Sequence, residues 1–129
     1  MKREILSSVA PIPVGPYAQA IEESGTFFCS GQIGLNVVTG MLEVGIGGQT
    51  KKALENLGDV LKAAGLTLDD VVKTTVYLSD MTMYAQMNEE YSKHFKPPFP
   101  ARTTVQAAPP RSALVEVDAI ARARSPKAP

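Results

Sequence analysis

A single histidine (His94) and a single cysteine (Cys29) set the first limit on the chemistry open to this chain. One copy of each builds neither a zinc centre nor a disulfide within the chain. A Ser-His-Asp or Cys-His arrangement would have to recruit His94, which falls in a helical stretch far from any serine or cysteine in a nucleophile-like setting. Metal-dependent and triad hydrolases are set aside on that ground. Acids stand out instead near the C-terminus, where Val115, Val117, Ala119 and Ala121 alternate with Leu114, Glu116, Asp118 and Ile120. In an extended segment these sets point to opposite faces. A face mixing two carboxylates with Leu and Ile is neither clean core nor clean solvent face. A subunit interface holding a cleft explains it, and so does a partly exposed edge strand with two ordinary surface acids.

The elements that must position such groups follow from the pattern. With 129 residues, 44% of them hydrophobic and 20% charged, the chain suits one domain with a real core. We expect it to span residues 1–124, with a flexible tail at 125–129. Thirteen Lys plus Arg balance thirteen Asp plus Glu, so the cation surplus that displaces phosphate counterions is missing. The basic run Arg122-Ala-Arg124-Ser-Pro-Lys127 reads as a solvated end. The N-terminus lacks the apolar stretch of a signal peptide, and no run of apolar residues is long enough to span a membrane. The expected location is the cytoplasm.

Lys2–Leu6 reads as a short strand. Pro11, Pro13, Gly15 and Pro16 then impose a stiff extended loop, because proline fixes φ and restricts its predecessor. Strands are expected at Tyr17–Glu22 and Thr26–Ile33 around a Ser24-Gly25 turn, and a long glycine-rich loop at Gly34–Gly48. Ala53, Leu54, Leu57, Val60, Leu61 and Ala64 form an apolar stripe that predicts a helix over Gln49–Ala64, stopped by Gly65. Thr67 and Asp70 form a capping-like turn into a strand at Val71–Leu78. Ser79 or Asp80 caps a second helix running to about His94, with Met83, Tyr84, Met87, Tyr91 and Phe95 as its stripe. Strands at Arg102–Ala107 and Ala113–Arg122 complete an α+β order. Two helices cover only one face of such a sheet, so the other face must be polar or buried in a partner.

Four segments, in this order and at these separations, carry a resemblance: Pro13-Val-Gly-Pro-Tyr17-Ala-Gln-Ala20, Ser30-Gly-Gln-Ile-Gly34, Pro100-Ala-Arg102-Thr-Thr-Val105 and Val115-Glu116-Val-Asp-Ala-Ile-Ala121. The chain resembles, from about Val9 to Arg122, the RidA/YjgF reactive-intermediate deaminase family, also labelled endoribonuclease L-PSP or translation inhibitor. The resemblance implies a chorismate-mutase-like α+β fold with two helices on one face of a mixed sheet. It implies a homotrimer with sheets inward and clefts at the subunit interfaces. It also implies a cofactor-free, metal-free activity: hydrolysis of 2-imino acids such as 2-iminopropanoate and 2-iminobutanoate, released by pyridoxal-phosphate enzymes, to 2-oxo acids and ammonia.

On that resemblance Arg102 grips the substrate carboxylate, a task suited to a planar fork of donors. Glu116 holds or activates the attacking water, and flanking valines would raise its proton affinity; an interface salt bridge is its alternative role, and Asp118 is the second choice. Tyr17, set by the stiff loop, either presents its hydroxyl to the cleft or plugs it. Ser30 and Gly31 offer backbone N–H groups and close approach, or mark a strand bulge. Asn88 matches a position near the cleft, or is an ordinary helix-surface residue. Thr104 stands where many relatives carry cysteine; its carbonyl can still accept from water or ammonia. Cys29 is expected to pack as a small buried hydrophobe. The outer wall is expected from the glycine-rich loop and a neighbouring chain. Two competing readings remain. An endoribonuclease is disfavoured by zero net charge, one histidine and eight aromatic residues. A non-catalytic trimer binding a small carboxylate would use the same Arg102 and differ at Glu116.

Overall fold

A computed structural model describes residues 1–124. The expected tail at 125–129 lies outside the described residues. The strands are β1 (Arg3–Ile5), β2 (Ala20–Glu23), β3 (Thr26–Ile33), β4 (Leu35–Asn36), β5 (Met41–Leu42), β6 (Val71–Leu78), β7 (Ala101–Gln106) and β8 (Val115–Arg122), and the helices are α1 (Gly45–Ala63) and α2 (Tyr84–Tyr91). Six strands form one sheet in the order β1-β2-β3-β8-β6-β7, and β4 with β5 forms a separate hairpin. All neighbours in the large sheet run antiparallel except β6 and β7. The fold is therefore α+β with a mixed sheet.

Period-two alternation decides the faces. Val115, Val117, Ala119 and Ala121 are buried beneath α1, together with Val76 and Leu78 of β6 and Leu54, Leu57 and Leu61 of the helix. α2 packs beside α1 and ties to β6 through a 2.8 Å hydrogen bond between the Tyr91 and Thr74 hydroxyls. Both helices thus cover one face. The other face carries Ile21, Phe28 and Ile120 in register across β2, β3 and β8, with Phe28 49% exposed.

Several boundaries differ from expectation, for identifiable reasons. α1 begins four residues early, inside the glycine-rich stretch, because Ile46 and Gln49 are buried there. Gly34 makes this packing possible: a Cβ on it would lie 2.6 Å from the Gln49 Cα. The supposed loop therefore shortens to the β4–β5 hairpin. At the other end, Leu66 N–H bonds to Leu61 O and Gly65 N–H to Lys62 O, both 2.9 Å, around Gly65 at φ 77°. This is the glycine-terminated helix end that the sequence predicts. Thr67 and Asp70 form a reciprocal cap, as expected.

The second helix breaks into a 3₁₀ turn (Met81–Met83), capped by Asp80, followed by α2. Beyond Tyr91, tighter turns carry the chain to His94, so the apolar stripe extends to Phe95 while the α-helix does not. β2 starts at Ala20, leaving Tyr17 in the loop; β8 starts at Val115, after a 3₁₀ turn at Pro110–Ser112. The basic C-terminal run is anchored where the structure describes it: Arg122 donates to Thr26 Oγ1 and Arg124 to Asp70 Oδ1, each at 2.6 Å.

Candidate active site

Glu116 projects from β8 on the face away from the helices. It lines a cavity of about 530 Å³ with Tyr17, Gly31, Arg111 and the proline-rich wall Pro11–Val14. Leu35, Val37 and Gly40, from the glycine-rich stretch, line it as well. Next to this acid β3 is irregular: Cys29 pairs with Ala119 and Gln32 with Val117, so Ser30 and Gly31 together face one residue, Asp118, while Ile33 stands opposite Glu116. The bulge turns the chain, and Gly31 leaves room for the carboxylate. A Cβ there would sit 2.7 Å from Glu116 Cδ and 2.9 Å from Cγ. Burial pushes the Glu116 proton affinity above the usual carboxylate range, and the neighbouring Asp118 charge adds to the shift. Asp118 itself accepts a 2.8 Å hydrogen bond from the Tyr77 hydroxyl.

The proline-rich wall is held by Gln19, a residue whose importance the sequence did not signal. It is 1% exposed. Its Oε1 accepts from Ser7 N–H at 2.6 Å, and its Nε2 donates to Pro11 O at 2.9 Å and to Ser7 O at 3.3 Å. Ser30 is committed to the same loop: its N–H donates to Gln19 O at 2.9 Å and its hydroxyl to Ala18 O at 2.6 Å. The expectation that Ser30 offers its N–H to a ligand is thereby corrected; the bulge secures the loop and Gly31 faces the cavity. Tyr17 lines the cavity but is half-exposed, a position suited to a rim and not to a buried plug.

Arg102 sits elsewhere. Its Cζ lies 4.8 Å from the Tyr91 ring centroid and 5.5 Å from that of Tyr84, and its Nη2 donates to the Tyr84 hydroxyl at 3.0 Å. Two aromatic faces hold the guanidinium at a fixed height over β7. Asn88 lies between these tyrosines along α2, and Thr104 follows Arg102 on the same face of the strand. Asn88 Oδ1 and Thr104 Oγ1 are both buried, without a hydrogen-bond partner among the described residues. Such orphaned atoms are expensive unless something else satisfies them. β7 is also a sheet edge. Ala107 N–H donates to Leu78 O, so the alternation of the ladder turns the main-chain groups of Arg102 and Thr104 outward.

One chain does not bring the two clusters together. Thr74 pairs with Arg102 and Val76 with Thr104 on the helix-covered face, whereas Glu116 stands in register with Tyr77 and Val105 on the other. Two strand spacings, about 10 Å, and the sheet itself intervene. Tyr17, Gly31 and Glu116 form one half-site; Arg102, Asn88 and Thr104 form another. Tyr84 and Tyr91 were legible only as members of an apolar stripe, because nothing in a helical pattern shows which strand residue will lie over it. Cys29 is buried, and burial raises its thiol to about 12, consistent with a packing role. His94 pairs with Glu90 at 2.7 Å. Among the described residues, no cluster of His, Cys, Asp or Glu is arranged to hold a metal ion, and no helix is long and apolar enough to cross a membrane.

Residues 7–123 match the family model described as endoribonuclease L-PSP. The chain is 45% identical over 123 residues to a RutC family protein of Pyrococcus horikoshii, covering 94% of this chain and 98% of that one. It is 44% identical to the 2-iminobutanoate/2-iminopropanoate deaminase of Mus musculus, over 94% of this chain and 91% of the relative. A crystal structure described as a putative endoribonuclease from Thermotoga maritima superposes with a TM-score of 0.91 at 41% identity, covering 97% of this chain and all of the other. The chain belongs to the endoribonuclease L-PSP family, which includes the RidA and RutC proteins.

Proposed function

From that membership and the divided geometry, we propose that this chain hydrolyses 2-imino acids to 2-oxo acids and ammonia at a site shared between neighbouring copies in a trimer. The observation that carries the reading is the division itself. One half presents a rigid guanidinium with unsatisfied buried oxygens; the other presents a desolvated acid in a cavity. Neither is complete. A partner that docks its β7 edge against the Glu116 cavity of the next copy supplies both sets at once, and a closed cyclic assembly repeats that junction identically. The sheet face bearing Phe28 and Ile120 is available for such packing.

Arg102 holds the substrate carboxylate and fixes the plane of the adjoining C=N group. Glu116 accepts a proton from water as its oxygen forms a bond to C2, and the C=N π pair moves to nitrogen. The proton then passes to the amine of the tetrahedral adduct, the C–N bond breaks to release ammonia, and the adduct's hydroxyl returns its proton to Glu116 as the carbonyl forms. An acid whose proton affinity is raised toward the working pH suits these transfers. The electrophile is already reactive once protonated at nitrogen, so orientation supplies most of what is needed. Asn88 Oδ1 and the outward carbonyl of Thr104 are acceptors for the iminium or the departing ammonia. The expected setting is the cytoplasm, beside the pyridoxal-phosphate enzymes that release such imines.

The test is a coupled assay in which a threonine dehydratase generates the imine and 2-oxo acid release is timed with and without the protein. Acceleration that Arg102→Ala and Glu116→Ala each abolish, with Glu116→Ala still binding 2-oxobutanoate, supports the enzyme. A carboxylate-binding trimer without catalysis would show binding and no acceleration. Salt-sensitive RNA cleavage lost in the same variants would favour the nuclease instead.

A further inference from the structure

The cavity that Glu116 lines has one cation in its wall, and the reaction as described above does not use it. Arg111 lines that cavity from the 3₁₀ turn Pro110–Ser112. Among the described residues it has no ion-pair or hydrogen-bond partner, unlike Arg102, Arg122 and Arg124, whose guanidinium groups are all engaged. It is also not the counterion of Glu116. A cation close to that carboxylate would hold its proton affinity down, whereas the affinity is raised, with burial and Asp118 as the causes. Arg111 and Glu116 thus line one cavity with no ion pair between them among the described residues.

The backbone presents Arg111 at a conformational cost. Arg111 has φ 60° and Ser112 φ 57°, consecutive left-handed residues of which neither is glycine. L-residues disfavour this region, and such outliers persist where the surroundings over-determine them. Here Pro109 is buried at the start of the turn and Ala113 at its end, so the turn is clamped on both sides with Arg111 at its crest. The wall that Arg111 and Glu116 share also contains Ile12, Val14, Ile33 and Leu35, and is largely apolar. An anion entering such a wall loses water and recovers the loss only where a forked donor meets it. An aliphatic group gains nothing from the arginine.

We infer that Arg111 is a specificity-determining residue that receives an anionic group on the substrate's side chain, so that 2-imino dicarboxylates are a preferred substrate class. The inference rests on the deaminase reading, because it assigns the α-carboxylate to Arg102 and leaves the side chain to the Glu116 cavity. It places the protein downstream of reactions that oxidise acidic amino acids, or eliminate water from their 3-hydroxy derivatives, to give imines.

Imines are generated in situ by amino-acid oxidases, with catalase present, from an acidic amino acid and from 2-aminobutanoate. Release of 2-oxo acid gives kcat/KM for each. The ratio of dicarboxylate to monocarboxylate should exceed one in the wild type and fall roughly ten- to a hundredfold in Arg111→Ala, through KM, as expected for loss of a charge-assisted contact. Arg111→Asn tolerates the left-handed backbone and should lower the ratio equally, which excludes collapse of the turn as the cause; Arg111→Lys should restore part of it. A wild-type ratio below one, or a ratio that both truncations leave within twofold, overturns the inference alone. No turnover of either imine by the wild type removes the deaminase reading beneath it.

Discussion

Gly31→Ala tests how tightly the acid is positioned, because it adds one methyl group and changes no charge. Gly31 lacks the positive φ that would exclude alanine on backbone grounds, so the substitution acts through space. The new Cβ would stand 2.7 Å from Glu116 Cδ, and ordinary carbon contact starts near 3.4 Å. The carboxylate must therefore retreat by about 0.7 Å at Cδ, and by more at the oxygen beyond it. A displacement of about 1 Å at a reacting group costs on the order of a hundredfold in rate. We expect kcat for imine hydrolysis to fall about a hundredfold with a much smaller change in KM, and the melting temperature to drop by only a few degrees. The assay is 2-oxo acid release under saturating imine, repeated in a Glu116→Ala background. There Gly31→Ala should cost little more, because the group it displaces is already gone. Full activity of the single variant would refute the claim that the acid must lie over the bulge. An equal further loss in the Glu116→Ala background would show that the methyl group obstructs the substrate and not the acid.

Glu116 binds its proton more tightly folded than unfolded, so the native state is favoured at low pH and loses that advantage as pH rises through the elevated value. The acid limb of kcat/KM should accordingly lie above the usual 4.5, and Glu116→Gln should melt higher than wild type at pH 8 but not at pH 4; the reverse order would contradict the shift. Ser112→Gly should relieve the left-handed strain at φ 57° and stabilise by about 0.5–1 kcal/mol, read from thermal melts at fixed protein concentration. Gln19→Ala strips three hydrogen bonds from the proline-rich wall and should cost about 2–4 kcal/mol; a loss below about 0.5 kcal/mol would show that the wall stands without it.

Residue pattern made the core legible but not the site. Alternation in Val115–Arg122 assigned Glu116 and Asp118 to the face away from the helices, and the structure keeps them there, partly buried. The α1 stripe and its Gly65 stop are also where periodicity puts them. The early start of α1 was hidden because glycines argue for a loop, and only the approach of Gln49 to Gly34 shows why they serve a helix. The bulge at Ser30-Gly31 was one of two readings, and register alone decides between them. The resemblance placed Arg102 and Glu116 in one site, whereas alternation gives no relation between strands: β7 lies two places from β8, with opposite faces in use. Arg111 follows two prolines in a segment with no periodicity to read, and Gln19 falls in an expected strand, where alternation says nothing of the Ser7 and Pro11 main chain that it holds.

A shared site makes a prediction that no single-chain site can mimic. Arg102→Ala and Glu116→Ala, each inactive alone, are mixed in equal amounts, dissociated and reassembled. Random assortment around a threefold ring gives each junction an intact Arg102 and an intact Glu116 in about one case in four, so activity should recover to about a quarter of wild type. Reassembled mixtures that contain hybrid trimers yet stay as inactive as their parents would contradict the account.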